Sequence, residues 1–216
     1  MACSKKQAED YLDVLVPTIQ QALCDRAPSV SAGAARAFLT LLKTVGPRAI
    51  DRVVPALLKS YGDGRGEEAA LALQGLREIV QRRPRDLLDY LLPSLMKAPV
   101  TVTDAGALGA VMGVAGPQLH HYLGSLVPQL VVELGNTSKR VAALREAEGE
   151  GGQGGQGGAS LDLECVRFDA IKDAAAAVMG AVSTEGVHGL INELGRQMES
   201  DVSADRRRWG CWLAEQ

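Results

Sequence analysis

Four copies of one short phrase recur along the chain: Val16-Pro17-Thr18-Ile19, Val54-Pro55-Ala56-Leu57, Leu92-Pro93-Ser94-Leu95 and Val127-Pro128-Gln129-Leu130. Their prolines stand 38, 38 and 35 residues apart. A period in that range marks a repeat array, in which each unit is one supersecondary element that cannot bury its apolar face alone. Every copy lies in a segment with helical apolar spacing, and a second such segment follows it. Paired helices at this period predict an all-α, HEAT/armadillo-like superhelix of about five antiparallel helical hairpins. In such a stack an extended surface, not a pocket, carries binding.

The repeats fall at about 7–45, 46–82, 83–115, 116–182 and 184–216, a single array over residues 1–216 that is expected to belong to a longer solenoid. In the first pair, Leu12, Leu15, Val16, Ile19 and Leu23 form one helical stripe. Ala34, Phe38, Leu41, Leu42 and Val45 form the next. A proline inside a helix normally costs about 3 kcal/mol and kinks it, so its recurrence predicts a bent first helix in each unit. Gly46-Pro47 and Gly116-Pro117 close one hairpin and open the next, since glycine suits a helix C-terminus and proline a first turn. Thr101-x-x-Asp104 reads as a capping box.

The rhythm breaks in repeat four, where a first helix ending near residue 134 is separated from its partner at about 161–182. Seven glycines fall in the ten residues from Gly149 to Gly158. Such a stretch buries too little apolar area to offset its backbone entropy. Residues 148–160 are therefore expected to be a disordered insertion. In the partner helix Val166, Ala170, Ala174, Ala177, Val178 and Ala181 make the predicted apolar stripe. The last helix carries Trp209, Trp212 and Leu213. On a terminal helix these are expected to be exposed and adhesive, awaiting a further repeat.

Composition narrows the function. With 46% hydrophobic but only 4% aromatic residues, the chain is suited to a helical core of small and aliphatic side chains. A net charge of −3 gives no global attraction for nucleic acid or an acidic membrane. Cys3, Cys24, Cys165 and Cys211 form no C-x-x-C pair and read as reduced, mostly buried thiols. No apolar run approaches the roughly 20 residues of a membrane span, and the start shows no targeting pattern. A cytoplasmic location is expected.

Chemical motifs dissolve on inspection. Gly152, Gly154 and Gly157 spell G-x-G-x-x-G inside low-complexity sequence, without the strand and helix a dinucleotide needs. His120 and His121 are adjacent and should point different ways on a helix surface, with no third metal ligand nearby. Carboxylate pairs such as Glu67-Glu68 are helix N-terminal charges. No catalytic residue, cofactor site, metal site or small-molecule substrate is assigned, and the chain is read as a non-enzyme. Two basic runs remain. Arg82-Arg83-Pro84-Arg85 lies at an inter-repeat turn and is expected to be solvated or to form inter-repeat salt bridges. Arg206-Arg207-Arg208 opens the last helix, where cations oppose the helix dipole. That local penalty points to a contact with an acidic protein or an RNA phosphate, matched by the guanidinium fork.

Several segments go beyond generic repeat character. Leu71-Ala72-Leu73-Gln74-Gly75-Leu76-Arg77-Glu78-Ile79-Val80, Tyr90-Leu91-Leu92-Pro93-Ser94-Leu95, Ala98-Pro99-Val100 and Leu119-His120-His121-Tyr122-Leu123-Gly124-Ser125-Leu126-Val127-Pro128 together resemble one family. It is the large HEAT-repeat activator of the translation initiation factor 2 alpha kinase, the general control non-derepressible family. The likeness is to its C-terminal region and covers about 30–132 most closely and 163–213 loosely. The glycine insertion departs from the family pattern.

The resemblance implies a ribosome-associated scaffold that binds the N-terminal domain of the kinase and acts under amino-acid starvation. It implies an arginine near the start of a second helix as a kinase contact. Here that place is the Arg206, Arg207, Arg208 run, with Arg207 the nearest match. The alternative is a generic HEAT adaptor, such as a nuclear transport receptor segment or phosphatase scaffold. A third class is an enzyme regulated through a helical domain.

Overall fold

The computed structural model describes residues 11–150, 157–199 and 204–216. Among the described residues every regular element is helical: α1 (Leu12–Leu23), α2 (Pro28–Val45), α3 (Arg48–Asp63), α4 (Glu67–Arg82), α5 (Pro84–Leu95), α6 (Val102–Ala115), a 3-10 turn (Gly116–His121), α7 (Leu123–Glu150), α8 (Gly157–Gly180), α9 (Val187–Glu199) and α10 (Ala204–Ala214). The all-α, HEAT-type class expected from the period is the fold. The chain divides into two compact units, 1–91 and 92–216.

The repeated phrase has one structural meaning throughout. Pro17, Pro55, Pro93 and Pro128 lie inside α1, α3, α5 and α7. The apolar residues just before and two after each proline are buried: Val16 and Ile19, Val54 and Leu57, Leu92 and Leu95, Val127 and Leu130. The first three prolines are exposed and Pro128 is half-buried. A missing N–H is tolerated best on the solvent side, where water satisfies the carbonyl left without a donor.

In the first unit α1 packs on α2 and α3 on α4, and α1 also meets α3 while α2 meets α4. Each helix thus covers its hairpin partner and the equivalent helix of the neighbouring repeat. Phe38, Leu57, Leu76 and Ile79 are essentially inaccessible. The stripe expected for α1 is narrower than predicted, because Leu15 faces out with Tyr11 and Val14. Gly46 ends α2 at φ 82°, and its N–H donates to the Leu42 carbonyl at 2.8 Å. That left-handed conformation is the reason for a glycine there. Gly75 meets a different demand: a Cβ at this position would lie 2.9 Å from the Leu23 carbonyl oxygen.

In the second unit the strongest association is between α6 and α8, followed by the α7–α8 hairpin. Small residues permit it, since a Cβ on Gly109 would already sit 3.5 Å from the Ala174 Cα and 3.6 Å from the Ala177 Cβ. The capping box is present: the Asp104 N–H donates to Thr101 Oγ1 at 3.1 Å, and the Thr101 N–H to Asp104 Oδ2 at 3.3 Å. α9 and α10 form the last hairpin, against α7.

Two expectations about repeat four are corrected. α7 does not end near residue 134 but continues to Glu150, and α8 starts at Gly157. Residues 148–150 and 157–160 are therefore helical, not disordered, while 151–156 lie outside the described residues. The run Val141-Ala142-Ala143-Leu144-Arg145-Glu146-Ala147-Glu148 is built almost wholly from strong helix formers, which carry the helix on into the first glycine.

Replacing Gly75 with Val is expected to lower stability by roughly 1–3 kcal/mol through backbone displacement at Leu23. Phe38→Ala should cost about 3–5 kcal/mol by cavity formation. Urea unfolding followed by circular dichroism measures both.

Candidate functional site

The arginine run sits where the sequence places it, on the second helix of the last hairpin. Within α10, Trp209 and Leu213 are four apart and point inward, at 6% and 1% exposure. Arg207 precedes Trp209 by two positions, about 200° round the helix, and is exposed, as is Arg208. The Arg208 guanidinium lies 5.4 Å from the Trp209 ring centroid. Arg206 belongs to the same helix, and its side chain lies outside the described residues.

The terminal helix is not the adhesive surface expected of it. Phe168 of α8 meets Trp209 edge-on, centroids 5.3 Å apart at 71°, and Trp209 meets Trp212 at 6.0 Å and 74°. Edge-to-face pairs add about 0.5–1.5 kcal/mol each beyond their area. Lys172 Nζ sits 5.7 Å from the Phe168 centroid and 5.3 Å from that of Trp212. Aromatics concentrated in one place thus hold α10 to α8 inside the second unit. Around them opens a cavity of about 560 Å³ lined from α7 by Ser138, Val141, Ala142 and Arg145, from α8 by Cys165, Phe168, Asp169 and Lys172, and from α10 by Arg208, Trp209 and Trp212.

A charge network fixes the α7–α8 hairpin behind this surface. Glu133 of α7 is 4% exposed. Its Oε1 accepts from Arg167 Nη2 at 3.1 Å and from the Val100 N–H at 3.2 Å. Arg167 also donates through Nε to the Val100 carbonyl at 2.5 Å and through Nη1 to Glu164 Oε1 at 3.2 Å. Arg140 closes the ring, with Nε 3.2 Å from Glu164 Oε2 and Nη2 2.9 Å from Thr137 Oγ1. The predicted α8 stripe holds in part: Ala174 and Val178 are buried as expected, with Ile171 and Ala175 beside them, but Val166 is exposed and the inward positions near the start of the helix are Glu164 and Arg167. Residues that bury charge in pairs look like a solvent face when read singly.

Other candidates resolve plainly. Arg82 pairs with Glu78 one turn back in α4, and Arg83 reaches Asp86 at 3.4 Å, so these two pairs are local where inter-repeat bridges were expected. His120 and His121 do not diverge on a helix; they lie in the 3-10 turn with ring centroids 4.0 Å apart. The cysteines are less buried than expected: Cys24 and Cys165 are half-buried and Cys211 is exposed, while Cys3 lies outside the described residues. Partial burial pushes the Cys24 thiol up, away from the nucleophilic thiolate. Among the described residues no group of three His, Cys, Asp or Glu side chains could hold a metal, and no helix is long and apolar enough to cross a membrane.

A family model described as "Stalled ribosome sensor GCN1-like, HEAT repeats" matches residues 87–216. The chain belongs to this family. The match takes in the whole second unit, including the region that its sequence motifs marked only loosely. The chain is 35% identical over 124 residues to "Stalled ribosome sensor GCN1" of Mus musculus, covering 57% of this chain and 4% of that protein. It is 30% identical over 150 residues to "eIF-2-alpha kinase activator GCN1" of Dictyostelium discoideum, covering 68% and 6%. The corresponding protein of Saccharomyces cerevisiae is 30% identical over 138 residues, covering 64% and 5%. The chain thus spans about one-twentieth of the length of these relatives. No solved structure matches it. The GCN1-like family is of the scaffold and regulator type, and this chain is a GCN1-like HEAT-repeat scaffold.

Arg167→Met should destabilise the second unit by about 3–5 kcal/mol, because Glu133 is left charged without its main partner. The double variant with Glu133→Leu is expected to recover most of that loss. Urea titrations of single and double variants measure the difference.

Proposed function

We propose that the chain is a non-enzymatic segment for protein recognition in translational control, and that it engages the N-terminal domain of the translation initiation factor 2 alpha kinase through Arg206, Arg207 and Arg208. The observation that carries this reading is the exposure of Arg207 and Arg208 on α10, within the residues that match the GCN1-like family. Two relatives are described as kinase activators and a third as a stalled ribosome sensor. By this reading the chain works in the cytoplasm, beside ribosomes, under amino-acid starvation. The chemistry suits it. Trp209 and Leu213 anchor α10 from one side, so the exposed guanidiniums are presented on a helix that does not need to reorganise on binding.

A desolvated charge pair lost from one side of an interface costs about 2–5 kcal/mol, whereas a rim charge costs much less. Arg207→Ala should therefore weaken capture of the kinase domain by roughly 30-fold or more, with helicity and melting unchanged. Arg65→Ala, at an exposed turn in the first unit, should bind as the parent does. Calorimetric titration with the isolated kinase domain makes the comparison. Equal affinity of all three proteins would remove the arginine run as the contact.

A further inference from the structure

We propose that the α7–α8–α10 cavity is a binding site for an acidic linear peptide segment that seats one aliphatic side chain between carboxylates. It lies beside the Arg207 surface and does not include Arg207. The inference rests on the reading of this end of the second unit as a recognition surface and shares Arg208 with it, while its ligand and its other residues are its own.

Charge makes the first case. Arg145, Lys172 and Arg208 line the cavity against one carboxylate, Asp169. The whole chain carries −3, so a local excess of cations here is not the background of a basic protein. Three cations converging on about 560 Å³ repel one another, and an anion bound among them relieves that repulsion. Arg145 and Arg208 are exposed at the rim, free of the desolvation that a buried cation would bear. The floor is apolar, formed by Val141, Phe168 and the two tryptophans. An apolar floor with a few convergent charges is the usual make-up of a ligand site.

The aromatic geometry selects peptide over RNA. Single-stranded nucleic acid binds by stacking its bases on open aromatic faces. Here Trp209 is 6% exposed and engages Phe168 and Trp212 edge-on, while Lys172 stands over Phe168 and Trp212. Trp209 is buried among rings with Arg208 over it, and the half-buried Trp212 carries Lys172 on its ring, so the tryptophan faces are shared with cations and not left open as a stacking platform. What remains open to a ligand is guanidinium and ammonium groups above an apolar base. That fits carboxylates flanking an aliphatic side chain.

Both tryptophans of the chain line this cavity, so intrinsic fluorescence reports its occupancy directly. The full chain is titrated with a synthetic peptide of sequence Asp-Glu-Leu-Asp-Glu, with its Asn-Gln-Leu-Asn-Gln counterpart, and with oligouridylate. The acidic peptide should change tryptophan emission saturably, weaken with added salt, and bind roughly tenfold or more weakly to Lys172→Glu and Arg145→Glu. Arg145 is exposed on α7, so its reversal leaves the fold intact should the Lys172 variant lose helicity. The amide peptide should leave emission unchanged. A response that ignores the carboxylates or the charge reversals overturns the proposal, as does saturation by oligouridylate with a silent peptide. Arg207→Ala should retain peptide binding. Loss of kinase-domain capture with peptide binding intact would therefore separate the two readings.

Discussion

A helix with one apolar stripe has nowhere to put it except against another helix, and in the first unit each of α1 to α4 shares its stripe between two neighbours. One is the antiparallel partner in the hairpin, and the other is the equivalent helix of the next repeat. That double requirement explains why the first unit stacks α1 on α3 and α2 on α4 as well as closing its hairpins. It also explains where tight packing is needed. Gly75 admits the Leu23 backbone, and Gly109 admits α8 at Ala174 and Ala177. A Cβ at Gly75 would force the Leu23 backbone away, whereas at Gly109 it would only just fit against α8.

The second unit adds two local devices to this common scheme. The Glu133–Arg167–Glu164–Arg140 ring ties α7 to α8 and holds the backbone at Val100 from both its N–H and its carbonyl. Buried ion networks contribute little net stability, since desolvation offsets their attraction. Their geometry is nonetheless demanding, and a slipped register would leave charges unpaired. The Phe168–Trp209–Trp212 cluster is the other device, attaching the last helix by ring edges in a chain with few aromatics. Together they make a firm base from which cations project.

That base is what the proposed recognition surface would rest on, and among the described residues every regular element is helical. Family membership places the chain among scaffolds, and the scaffold physics is visible: inward residues stack the repeats while outward ones vary with the partner. Arginine suits such a surface because its planar fork pairs with carboxylates in two places and stays charged. The same end of the unit carries both the exposed run on α10 and the cation-lined cavity beside it.

The sequence by itself determined the repeat period, the helix pairs, the glycine and capping-box boundaries and the place of the arginine run. These are local properties, written in spacing and in backbone demands such as the left-handed Gly46 or the Thr101–Asp104 box. It did not determine where α7 ends, because strong helix formers and a glycine tract compete there with no local signal to rank them. Nor did it show that the first turns of α8 put charge inward, although Ala174 and Val178 of the expected stripe are buried. Glu164 and Arg167 become interior residues only when α7 supplies Glu133 and Arg140 opposite them. Trp209 and Leu213 read as exposed until the fold buries both, Trp209 against Phe168 from a distant segment. Only the tertiary structure decided these points, since a buried charge or a covered aromatic is defined by its partner, and the partner lies far away along the chain.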